Sequence, residues 1–176
     1  MRSAAQFAAF HAFWLVAARR AQHGHVWIAA LALVPYLAWM LRGEREWRHL
    51  AARWLVAGAL GSVLDGVLAW LGLLRYPTAP AHWPAALVPP FIASLWIAFA
   101  TLPRLSLAWL APRPALAAAL GALGGPLSFA AGARAGAVGY GESALATNAV
   151  LALEYALATP LLLRLLAPPA PAVPAT

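Results

Sequence analysis

Four ionisable side chains interrupt apolar runs in which a charge is costly: His11, Asp65, Arg104 and Glu154. Asp65 stands in Gly61-Ser62-Val63-Leu64-Asp65-Gly66, and Glu154 in Leu153-Glu154-Tyr155. An ionisable group at bilayer depth costs roughly 2.5–3.5 kcal/mol on insertion scales, so residues of this kind mark proton relays, polar sites or interhelical pairs. Two carboxylates sharing a dry interior disfavour double ionisation, so one of them can stay protonated near neutral pH. The chemistry to expect is a proton relay or small polar site built from Asp65, Glu154 and His11, with Ser62 and Ser128 as hydroxyl neighbours. A structural reading stands beside it. A carboxyl bonded to Ser62, Tyr155 or backbone, or paired with Arg104, would simply hold helices together. His11 alone reads as a hydrogen-bonded packing residue. One histidine and two carboxylates on no ligand spacing make no metal site, and no cofactor is implied. The sequence holds no paired-histidine helix, nucleophile elbow or phosphate-cradling glycine loop. No catalytic residue is assigned.

These residues must be positioned by membrane-spanning helices. Of 176 residues, 64% are hydrophobic and 10% charged, against about 45–50% and roughly 25% in an ordinary soluble domain. The mean hydropathy is +0.75. A chain this short leaves about a third of its surface wet, so a soluble globular enzyme is excluded. A β-barrel would show alternating ten-residue segments, whereas these apolar runs are continuous. The fold class expected is all-α, a bundle of about six transmembrane helices. Segments near the length of about 20 residues needed to span are Ala4–Ala18, Val26–Leu41, Trp54–Leu74, Pro90–Leu110, Ala115–Val138 and Ser143–Leu166. Residues 1–166 form one transmembrane domain, and 167–176 a Pro- and Ala-rich tail expected to be disordered. Arg19, Arg20, Gln22 and His23 follow the first run where a cleavable signal would carry small neutral residues, so that run reads as a retained span.

The formal charge is +7, and all 12 basic residues are arginine. They are scattered between apolar runs, not clustered on one face, which excludes nucleic acid as a partner. With the N-terminus inside, Arg2, Arg42, Arg45, Arg48, Arg53, Arg104, Arg113 and Arg164 fall on the cytoplasmic side, and Arg19, Arg20, Arg75 and Arg134 on the outer side. That excess places both termini in the cytoplasm. Every tryptophan except Trp96 then falls near a span edge, where an aromatic belt belongs. The stretch Arg42–Leu50 reads as a solvated loop with local ion pairs, or as an interfacial helix whose arginines face anionic lipid. There is no cysteine, hence no disulfide or thiolate site.

The fifth segment is rich in glycine. Gly121 with Gly125, and Gly132 with Gly136, stand at the spacing that lets helix backbones touch, and Gly124 lies beside them. Pro126 removes the amide that would bond Ala122, so a kink is expected, with Ser128 able to resatisfy a freed group. Packing explains most of this motif, although a broken, glycine-lined helix is also how transporters build midplane sites.

Two stretches carry a family resemblance. One is Leu95-Trp96-Ile97-Ala98-Phe99-Ala100-Thr101-Leu102 with Ser106-Leu107-Ala108-Trp109-Leu110. The other is Gly124-Gly125-Pro126-Leu127-Ser128-Phe129-Ala130-Ala131-Gly132-Ala133-Arg134 with Gly136-Ala137. Together with Leu64-Asp65-Gly66 they resemble the bacterial inner-membrane family catalogued as domain of unknown function 2878. The resemblance covers nearly the whole chain. It implies a multi-pass inner-membrane protein of unestablished biochemical role, found alongside lipid-modifying enzymes, and supplies no catalytic assignment. Leu102-Pro103-Arg104-Leu105 departs from the pattern, which has polar residues there.

Three functions remain open. The first is a non-catalytic envelope protein, lying in the lipid bilayer and linked to lipid metabolism through a membrane-protein partner or a homo-oligomer. The second is a small proton-coupled transporter or channel using the midplane carboxylates. The third is an intramembrane enzyme acting on lipid, which needs Asp65, Glu154, His11 and Ser128 within reach of one pocket.

Overall fold

The computed structural model describes residues 2–84 and 86–168. Among the described residues the regular elements are helices, apart from one two-residue strand pair, and a non-helical connection runs from 71 to 89 around it. The helices are α1 (Arg2–Ala21), α2 (Ile28–Leu41), α3 (Trp47–Trp70), α4 (Pro90–Phe99), α5 (Pro114–Arg134) and α6 (Ala144–Leu166). Of these, α3, α5 and α6 are long and apolar enough to cross a membrane. At 1.5 Å per residue, α3 is about 36 Å long. The tail predicted from 167 lies outside the described residues from 169 onward.

Three helix ends are set by glycine. Gly24, Gly72 and Gly136 adopt φ of 79°, 73° and 77°, and each is followed by an amide that reaches back to close the helix: His25 to Arg20, Leu73 to Leu68, Ala137 to Gly132. Only glycine takes this left-handed cap without steric cost. The stretch read as a loop or interfacial helix is divided. Turns run through Gly43 to Glu46, and α3 begins at Trp47.

The fourth segment does not run to Leu110. The helix stops at Phe99 and continues as two single 3-10 turns, Leu102–Arg104 and Ala108–Leu110. The cause is Pro103, whose ring would strike the carbonyl of Phe99, four residues back, and which offers no amide. Pro35, Pro126 and Pro160 are instead carried inside their helices.

Three contacts tie the connections together. Strand β1 (Leu74–Arg75) pairs antiparallel with β2 (Gly139–Tyr140), joining the α3–α4 and α5–α6 connections. Arg104 pairs with Glu44 at 2.5 Å, joining the opposite ends of the helices, and Ser106 donates to the Ser3 carbonyl at the N-terminus.

Close helix packing follows the small residues. A β-carbon at Gly121 would overlap the Tyr155 carbonyl and Thr159, and one at Gly125 the Tyr155 ring, so α5 lies directly against α6. In α3, Gly58 and Gly61 admit Ile97 and the Trp96 ring of α4. Large apolar residues face outward on most helices: Leu31 and Val34 on α2, Val63 on α3, Leu127 on α5, Leu153 and Leu157 on α6.

Candidate functional site

Trp96 organises the centre of the molecule. Its indole is buried against Gly61, stacks on Tyr155 at 5.1 Å between centroids, and meets Phe99 edge-on at 5.9 Å. Its Nε1 donates to Oδ2 of Asp65 at 2.8 Å. Asp65 is 1% exposed, and its other oxygen, Oδ1, has no hydrogen-bond partner among the described residues. Neither carboxylate oxygen of Glu154 has a partner there, and the Tyr76 hydroxyl is likewise shielded and unbonded. Tyr76 lies in the connection after β1, outside the helices. Burial pushes its phenol well above the usual range, and the nearby carboxylates of Asp65 and Glu154 push it the same way. Asp65 and Glu154 are also within electrostatic reach of each other. Unbonded buried oxygens in a native protein call for a reason, since each forfeits about 1–3 kcal/mol of solvation.

Two cavities flank Trp96. The first, of about 680 Å³, lies between α1, α4 and α5 and is lined by Asp65, His11, Ser128, Gly124 and a set of aromatic rings. The second, of about 600 Å³, lies between α3 and α6. Glu154 lines it, leucines form its walls, and His49 and Arg53 stand toward the start of α3. Trp96 lines both. The two acidic residues therefore line different cavities on either side of one indole, with their unbonded oxygens shielded.

The remaining candidate residues are engaged elsewhere. His11 is exposed on α1, and its Nδ1 is 2.8 Å from the Phe7 carbonyl. Ser128 accepts from Trp14 Nε1 at 3.0 Å, a bond joining α1 to α5 at the edge of the first cavity. Ser62 donates to the Gly58 carbonyl one turn back. Arg104 is bound to Glu44 and is not the counter-ion of either midspan carboxylate. Gly124 faces open space, Gly132 meets Val138, and Gly136 lies past the end of α5 as its cap. Gly136 therefore does not pair with Gly132 in a helix contact. Among the described residues no group of three or more metal-ligating side chains is placed to hold an ion.

A second polar cluster was not anticipated from the sequence. Gln6 is wholly buried. Its Nε2 donates to the Thr101 carbonyl at 2.8 Å, and its Oε1 accepts from the Ser106 amide at 2.9 Å. The Tyr36 hydroxyl lies 2.8 Å from Thr101 Oγ1, which donates to the Ala98 carbonyl. This network seals the backbone freed where α4 breaks. Pro103 was the available signal for it. Trp96 had a signal too, as the tryptophan that fits no belt position.

The comparisons with known proteins bear on identity. A family model described as "Protein of unknown function (DUF2878)" matches residues 3–161. The chain belongs to that family. Nothing among the curated proteins or the solved structures matches it. The DUF2878 match takes in α1 to α5 and most of α6, so Asp65, Trp96 and Glu154 all lie within the family's shared region.

Proposed function

We propose that the chain is a six-span protein of a bacterial inner membrane, with both termini cytoplasmic. In this reading it is a non-catalytic envelope protein that holds an apolar-bodied ligand drawn from the lipid phase, which is its link to lipid metabolism. The observation that carries the ligand-holding part is Asp65, a sealed carboxylate with one unbonded oxygen on the wall of an aromatic cavity. The membrane part is supported by the outward leucines and valines, which only lipid or a partner helix would cover. An enzymatic role draws no support from the geometry. His11 and Ser128 are committed to Phe7 and Trp14, and Glu154 opens on the other cavity.

The absence of cysteine makes topology directly measurable. Cysteines introduced singly as Glu46→Cys and Ala111→Cys react with an impermeant maleimide only after the cytoplasmic side is opened. Those introduced as Ala81→Cys and Glu142→Cys, both at exposed positions, react from outside. Labelling of Ala81→Cys and Glu46→Cys from one side would end the six-span arrangement. For the ligand, organic extraction of purified protein yields a stoichiometric amphiphile, and an extract containing only bulk lipid would count against the reading.

A second reading, a small proton-coupled transporter, is favoured by one observation: Trp96 separates two cavities, each with its own carboxylate. Proton-driven uptake into liposomes that stops in Asp65→Asn would select it over simple binding.

A further inference from the structure

We infer that the cavity between α1, α4 and α5 is a binding site for a lipophilic cation, a molecule carrying one positive group on a compact apolar body. The inference rests on the ligand-holding reading above and names the ligand's class.

Charge complementarity is the first argument. Asp65 lines the cavity with its Oδ1 shielded and, among the described residues, without a partner, so its charge acts on the cavity across a thin apolar layer; the ionisable groups around it are Glu154, Tyr76 and Tyr155, none of which can supply a positive charge. Arg104, the arginine that follows α4, is held by Glu44. His11 lines the cavity but is turned to the Phe7 carbonyl on the exposed side of α1. The protein thus leaves an acceptor in a dry wall and provides no cation for it, and a ligand's own positive group completes the pair. A desolvated charge of this kind is paired or it is costly.

The second argument is the wall. Phe10, Trp14, Trp96, Phe99, Phe129 and Tyr155 line the cavity. Aromatic faces attract cations, by about 2 kcal/mol or more when water is excluded. Rings on several sides also fit a compact body better than an extended chain. The third argument is room. A cavity of about 680 Å³ falls within the range of roughly 300–1,000 Å³ used for small-molecule sites. Gly124 opens on it, with no atom within 4 Å of where a side chain would begin.

The test uses the full chain in phosphatidylcholine nanodiscs, with radiolabelled tetraphenylphosphonium as the cation and triphenylphosphine oxide as a neutral probe of similar body. The wild type binds the cation saturably, one per chain, and the neutral probe does not displace it. Asp65→Asn weakens binding about tenfold, a loss near 1.4 kcal/mol. Gly124→Phe, whose added β-carbon meets no atom within 4 Å and whose ring occupies the cavity mouth, weakens it by about as much while thermal unfolding is unchanged. If Asp65→Asn binds as tightly as wild type, or the neutral probe competes equally, the cation assignment is overturned while ligand holding stands. If Gly124→Phe folds and binds normally, the site is not this cavity. If neither probe saturates, both readings fall.

Discussion

Two clusters beside α4 handle buried polarity in opposite ways. Past its C-terminal end Gln6, Tyr36, Thr101 and Ser106 form a closed network, which covers the backbone left by the break at Pro103. Within its last turn, Trp96 satisfies one oxygen of Asp65, while Oδ1 and both oxygens of Glu154 stay unbonded among the described residues. A fully satisfied buried network fixes a structure, whereas a half-satisfied one costs stability. The first cluster therefore serves the fold. The second is where the molecule tolerates a cost, as sites that bind or move something do.

Substitutions should separate the two clusters, with stability read from unfolding of purified protein in a mild detergent. Gln6→Ala has the largest expected effect. It strands the Ser106 amide and leaves a hole, for a loss of about 3 kcal/mol. Trp96→Phe comes next at about 2 kcal/mol, because it removes the only donor to Asp65 among the described residues and thins the wall between the cavities. Glu154→Leu runs the other way. Replacing an unpaired buried carboxylate with an apolar side chain raises stability by about 1 kcal/mol. Asp65→Asn is the smallest, within about 0.5 kcal/mol of wild type, since the amide oxygen still accepts from Trp96. A loss of several kcal/mol in Asp65→Asn would erase the contrast and make that cluster structural as well.

The apolar, all-helical character and the long helices α3, α5 and α6 were legible because continuous apolar runs need no knowledge of facing. Helix facing was not legible, since most sides of each segment are apolar and periodicity carries no signal. That is why Gln6, one polar residue among alanines, drew no notice, and why the partners of Asp65 and Arg104 were open. The end of α4 could have been read from Pro103, because a proline four residues past Phe99 forbids its last helical turn. Pro126 shows the limit of that rule, since α5 runs on through it. The pairing of Gly132 with Gly136 failed for a related reason. Spacing alone cannot distinguish a packing glycine from one that ends the helix.

The shortness of α4 has a consequence for how the chain is made. Ten residues reach about 15 Å, half the thickness of the hydrocarbon. The backbone that follows has polar groups with no helical partner, and in the six-span reading lipid offers them none. Their cover arrives from Gln6, 95 residues earlier in the chain. During biosynthesis the first helix must therefore stay within reach until the fourth emerges, and the two dock before the later helices can enclose them. In the six-span reading, a chain released without its first helix leaves that turn uncovered at membrane depth.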